Sequence, residues 1–180
     1  MVQSVELLLE PDAEQRVRDE WTVLAAAGLP SLATQHSETS RPHVTLAVAD
    51  AGLEPAVDAL NAVFRGWHLA ERGMAVVVGS PVLFGGHHCR WVLARLVVPS
   101  RPLITLHSAV HRAIDAAAPD ARVVEQTRPD AWTPHVSLAR RVAADRMGDA
   151  LSHVDPSPLR CRVTGARLWD SAAKTVTPLC

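Results

Sequence analysis

Apolar and polar positions along the 180-residue chain alternate between two periods, and the switches mark out a series of short elements. Residues 5–9 form an aliphatic run long enough for a first strand. Pro11 and Asp12 then open a helix, with acidic residues early and Asp12 as a candidate cap, that should run to about Ala27 before Gly28 and Pro30 end it. Residues 31–41 are polar and irregular, and residues 53–64 carry apolar side chains at helical spacing. Residues 75–78 and 82–84 read as two strands separated by Gly79-Ser80-Pro81, and a Gly85-Gly86-His87-His88 turn leads into a central strand over 90–98. Ser100 and Pro102 open a helix over 103–118, Val123-Val124 is a short strand candidate, and residues 144–154 suit a short helix. A strand over 160–169 should pair with 175–178 across residues 170–174. The order is roughly βαβαβββαβαββ, which fits an α+β domain whose sheets pack against flanking helices.

One strand pattern occurs twice. Pro42-His43-Val44-Thr45-Leu46-Ala47 recurs as Pro134-His135-Val136-Ser137-Leu138-Ala139, with the histidines 92 positions apart, about half the chain. A repeat on that scale predicts two similar halves, each presenting one copy. Val, Thr and Leu favour extended structure, and side chains alternate faces along a strand. His43 with Thr45, and His135 with Ser137, therefore share an open face, while Val44, Leu46, Val136 and Leu138 point into the core.

Two histidines with two hydroxyls suit the displacement of one oxygen by another at phosphorus. The nucleophile must lose a proton and the leaving oxygen must gain one, so one neutral and one protonated imidazole do both jobs. The hydroxyls can donate to the non-bridging phosphoryl oxygens. Arg140, five residues after His135, would add a forked anion clamp, but it falls on the opposite strand parity and reaches the phosphate only if the strand twists or ends there.

These residues resemble the two-histidine (2H) phosphoesterase superfamily, and within it the LigT-like bacterial 2′-5′ RNA ligases or RNA 2′,3′-cyclic phosphodiesterases. The resemblance is sharp at residues 42–47 and 132–140 and diffuse elsewhere. Ser137 stands in place of threonine, and Val48 where relatives often carry an aromatic residue. The resemblance implies a bilobal, pseudo-twofold fold of antiparallel sheets flanked by helices, with the motif strands side by side at the floor of a central cleft. Residues 1–180 would be a single domain with one motif in each lobe. The implied activity is metal-independent hydrolysis of a 2′,3′-cyclic phosphate at an RNA or nucleotide end to a 2′-phosphate. His43 would be the general acid, His135 the general base, and Thr45, Ser137 and Arg140 the phosphate-binding groups. No cofactor or metal is expected. Two alternatives stay open: a 2′-5′ end-joining ligase using the same site, and a non-catalytic nucleotide-binding module.

Composition narrows the partner. Net charge is −1, with 18 basic and 19 acidic residues, which disfavours an extended duplex and favours an RNA 3′ end or a small nucleotide. Seventeen of the basic residues are arginine, a bias read as genomic composition. Cys89, Cys161 and Cys180 form no disulfide framework, no signal peptide is evident, and no apolar run approaches the ~18 residues of a membrane span. A cytoplasmic monomer without membrane contact is expected.

Four further features have bland readings. Trp132 is either a packing residue or a base-stacking group at the cleft mouth. His107, His111 and Asp115 share a helix face at metal-compatible spacing, read as a solvated face. His87 and His88 read as an exposed turn. His36 and Arg41 are the phosphate-binding candidates of the loop before the first motif.

Overall fold

The computed structural model describes residues 2–34, 39–85 and 90–180. Among these the chain runs β1 (Gln3–Leu9), α1 (Pro11–Ala26), β2 (His43–Ala49), α2 (Val57–Gly66), α3 (Leu69–Arg72), β3 (Met74–Gly85), β4 (Arg90–Val97), α4 (Arg101–Ala117), β5 (His135–Ala143), α5 (Met147–Ser152), β6 (Leu159–Asp170) and β7 (Thr175–Pro178). This is the α+β class expected. The strands form one antiparallel sheet in the order β2-β1-β6-β3-β4-β5, with β7 added to β6.

The two motif strands therefore sit at opposite ends of the strand order. Register shifts interrupt β1/β2, β1/β6, β3/β4 and β4/β5. Such irregularities sharpen local twist, and the sheet curves until β2 and β5, unpaired by backbone bonds, lie against each other. α1 packs on β1, β5 and β6, and α4 packs on β2 and β3 with α2 against it. Beneath them Val5, Leu7, Leu9, Val44, Leu46, Val136 and Leu138 join Trp21, Phe64, Leu106 and Ile114 in one continuous core. The opposite face of β2 and β5 is left open for His43, Thr45, His135 and Ser137.

Several local expectations change. α1 is capped at Glu10 without a side-chain bond, and Asp12 lies inside its first turn, where a carboxylate still complements the helix dipole. The two strands expected on either side of Gly79-Ser80-Pro81 are one strand, β3, which pairs with β6 through its first half and with β4 through its second. The ladder shifts register between Val78 and Pro81, which accommodates a proline that lacks an N–H. Val123 makes a lone bridge to Ala49, and the short helix α3 carries no sequence signal strong enough to predict. At α4 the expected cap holds: Ser100 accepts from the Leu103 N–H at 3.3 Å.

Candidate active site

The repeat extends to the backbone. In β2 the register steps from Val5↔Ala47 to Glu6↔Thr45, so Leu46 is an extra residue; in β5 it steps from Leu93↔Ala139 to Ala94↔Ser137, so Leu138 is extra. Both bulges fall three residues after the histidine. Each puts two consecutive side chains, Leu46-Ala47 and Leu138-Ala139, into the core and returns the next residue to the open face. That residue is Val48 in the first copy and Arg140 in the second. The parity objection to Arg140 is thereby removed: the strand neither ends nor simply twists, but inserts one residue. Arg141 follows with φ +62°, at a second irregularity between Val142↔Trp91 and Ala139↔Leu93. Arg140 makes no hydrogen bond or ion pair with any described residue.

The imidazoles are oriented alike. His43 Nδ1 lies 2.6 Å from the Arg41 carbonyl, and His135 Nδ1 lies 2.8 Å from the Thr133 carbonyl. A carbonyl only accepts, so each ring carries its proton on Nδ1 and turns Nε2 outward. The hydroxyl residues are held from beneath. Trp132 Nε1–H donates to the Thr45 carbonyl at 2.9 Å, and Trp21 Nε1–H donates to the Ser137 carbonyl at 3.0 Å.

Around the rings the two copies diverge. His43 Nε2 faces the Glu6 carboxylate at 3.5 Å, whereas the His135 ring packs against Phe84 with centroids 4.6 Å apart. Burial holds the His135 pKa below the usual imidazole value, with further lowering from the positive charges of His43 and Arg140. Glu6 is only 2% exposed; its carboxylate also accepts from Ser4 Oγ at 2.7 Å and from Arg167 Nε at 2.7 Å.

A cavity of about 300 Å³ opens beside the first motif, lined by His43, Thr45, Val48 and Arg140 together with Glu6, Ser4, Arg167 and Trp169; His135 and Ser137 are not among its lining residues. Glu6, Ser4, Arg167 and Trp169 were not singled out in the sequence. Glu6 was legible as the one charged residue in the aliphatic run of β1, and Arg167 and Trp169 as alternate residues of the strand expected over 160–169.

Trp132 does not line this cavity; its indole stacks on His107 at 3.9 Å with the planes within 2°. The solvated face expected for His107 and His111 is a correction, since each is 2% exposed. His107 Nε2 bonds the Thr127 carbonyl at 2.9 Å, and His111 Nε2 bonds the carbonyl of Leu46, the extra residue of the first bulge, at 3.1 Å. Burial drives both pKa values down, that of His107 to about 4. Helix α4 was legible; that its histidines face the core to tie down unpaired carbonyls was not. Arg41 is engaged by Glu14 at 2.6 Å, which braces the approach to the first motif. His36, His87, His88 and Cys89 lie outside the described residues. Among the described residues no group of three or more His, Cys, Asp or Glu is arranged to hold a metal, and no helix is long and apolar enough to cross a membrane.

An antiparallel sheet curved so that its two outer strands, each with an imidazole and a hydroxyl on the open face, lie against each other is the build of a two-histidine phosphoesterase. The chain belongs to the 2′-5′ RNA ligase superfamily, whose family model matches residues 9–175. Solved structures with the same fold include Kluyveromyces marxianus Usb1 with uridine monophosphate, at 15% identity and TM-score 0.55, covering 99% of this chain and 97% of that one. Escherichia coli LigT complexed with 3′-AMP matches at 15% identity and TM-score 0.54, covering 99% and 94%. The MHV ns2 PDE domain matches at 16% identity and TM-score 0.52, covering 78% and 83%. No curated protein matches the sequence.

Proposed function

We propose that the protein hydrolyses 2′,3′-cyclic phosphates at RNA or nucleotide ends to 2′-phosphates, with His135 as general base and His43 as general acid. The observation that carries the division of labour is the contrast around the two rings: His43 Nε2 has a carboxylate 3.5 Å away that favours a charged ring, while burial and neighbouring positive charge favour the neutral form of His135, whose ring packs on Phe84. A neutral imidazole accepts and a protonated one donates. His135 Nε2 takes a proton from water as the water oxygen bonds to phosphorus. The bond from phosphorus to the ribose 3′ oxygen breaks, and His43 Nε2 delivers its proton to that oxygen. Thr45, Ser137 and Arg140 donate to the non-bridging oxygens, where negative charge accumulates. Complexes of the similar folds with uridine monophosphate and 3′-AMP are consistent with a nucleotide in the cleft.

The test is turnover of nucleoside 2′,3′-cyclic phosphates by the parent chain, His43→Ala and His135→Ala, with the product isomer identified by phosphorus NMR. Each substitution should lower kcat by ~10² to 10⁴, the contribution of one positioned proton transfer, without loss of the folded state. Unchanged turnover in either variant overturns the assignment. Synthesis of a 2′-5′ linkage from a cyclic phosphate and a 5′ hydroxyl would show the same steps run with a ribose hydroxyl in place of water. Tight nucleotide binding without turnover would mark a binding module.

A further inference from the structure

The proposed reaction uses one arginine, yet the cavity holds two. Arg167 is 4% exposed and lines the same cavity as His43, Thr45 and Arg140. Its Nε is committed to Glu6, but its two terminal nitrogens have no hydrogen-bond or ion-pair partner among the described residues. Neither is sealed from the cavity, because neither is among the described side-chain atoms that are both inaccessible and unpaired. A buried guanidinium ordinarily saturates its donors, since unmet ones carry a desolvation cost. Here the guanidinium lines the cavity, with Nε fixing the plane of the fork.

Strand register locates this fork relative to the reaction. Thr45, Glu6 and Arg167 are successive Cα partners across β2, β1 and β6, and Val48, Ser4 and Trp169 form the next row. With strands about 4.8 Å apart, two steps put the Arg167 backbone roughly 10 Å from that of Thr45. Trp169, two residues along the same face, also lines the cavity. The carboxylate between the two anion sites does not oppose a ligand directly: one Glu6 oxygen is taken by Ser4 and His43, the other by Arg167.

We propose that Arg167 and Trp169 form a subsite for the part of the substrate beyond the phosphate that reacts, Arg167 donating its terminal N–H groups to a second phosphate and Trp169 facing a base. The inference rests on the nucleotide cyclic phosphodiesterase reading and narrows its substrate class: a nucleotide chain or a 5′-phosphorylated cyclic nucleotide is preferred over a nucleoside cyclic phosphate carrying a single phosphate. A guanidinium fork matches phosphate oxygens in geometry as well as charge.

The test is calorimetric titration of the full chain with adenosine 2′-monophosphate and adenosine 2′,5′-bisphosphate, neither of which contains the bond to be broken. The bisphosphate should bind about tenfold or more tightly, as expected for charge-assisted bonds to one phosphate. In Arg167→Met this advantage should fall below about threefold with the monophosphate affinity little changed. If Arg167→Met does not fold, the double variant Glu6→Gln with Arg167→Gln replaces the buried ion pair by a neutral amide pair and should lose the advantage likewise. Trp169→Ala should weaken both ligands about tenfold while preserving their ratio. Equal affinities in the parent chain, or an advantage that survives removal of Arg167, overturn the proposal. Because binding is read without turnover, a bisphosphate preference that depends on Arg167 stands even if no cyclic phosphate is hydrolysed, and hydrolysis without the preference leaves the reaction intact and removes the subsite.

Discussion

The two copies of the motif differ little in sequence and in backbone, yet they stand in two different environments. Each histidine bonds the carbonyl two residues before it, each strand bulges three residues after it, and each hydroxyl residue receives an indole N–H at its carbonyl. What differs is supplied from outside the motif. β1 contributes Glu6 beside His43, and β3 contributes Phe84 beside His135. At the position returned to the open face, Val48 in one copy answers Arg140 in the other. A repeated scaffold can therefore be near-symmetric in geometry and asymmetric in its electrostatic surroundings, because geometry is local in sequence while electrostatics is set by neighbouring strands.

The largest test of that asymmetry in the anion contacts is Arg140→Met. Losing one preorganised donor to the phosphoryl oxygens typically costs ~10² to 10³ in kcat, whereas Val48→Ala, at the equivalent position, should leave kcat nearly unchanged. Arg140 also contributes to the lowered pKa of His135. With the charge gone, that pKa should rise towards 6.5, so the acid limb of the kcat profile should move to higher pH. An equal loss in both variants, or a limb that stays in place, would mean that the two halves contribute alike.

Much of the candidate site was legible because the motif carries its own local signal. The paired histidines, their hydroxyls and the arginine were visible as a spacing, and the strand reading followed from residue type. Arg140 looked misplaced only because a perfect two-residue alternation was assumed. The consecutive apolar pair after each hydroxyl residue, Leu46-Ala47 and Leu138-Ala139, is the pattern of a bulge and could have corrected the parity. Glu6, Arg167 and Phe84 were less accessible, since each becomes part of the site through pairing between segments remote in the chain: Glu6 meets Arg167 across 161 residues. The burial of His107 and His111 also depends on tertiary placement, because a helix with histidines four apart reads the same whether that face meets solvent or a neighbouring carbonyl.

A smaller effect is expected at Glu6, which distinguishes the surroundings of His43, the proposed proton donor, from those of His135, the proposed acceptor. Glu6→Gln keeps a hydrogen-bond acceptor for Arg167 and Ser4 but removes the negative charge facing His43 Nε2. Turnover should fall about tenfold, the worth of one modest charge interaction with the His43 ring. The acid limb, which reports deprotonation of His135, should stay below pH 6.5, because the groups depressing that pKa are burial, His43 and Arg140 rather than Glu6. A shift of the acid limb in Glu6→Gln would reverse the assigned roles, since the carboxylate would then be acting on the base.

The mildest perturbation addresses what the halves share. Trp21→Phe and Trp132→Phe each remove the single N–H that reaches under the opposite motif, to the Ser137 and Thr45 carbonyls respectively. Each should destabilise the fold by about 1 kcal/mol for the lost hydrogen bond, read as a shift in urea midpoint at constant slope. Trp21 is 3% exposed, so its variant should cost somewhat more through the volume left unfilled. If the indoles position the hydroxyls, turnover should drop a few-fold in both variants, with weaker phosphate binding at the hydroxyl concerned. Loss of stability with turnover intact would mean that the tryptophans only fasten the two ends of the sheet, and that Thr45 and Ser137 are held in place by the bulges alone.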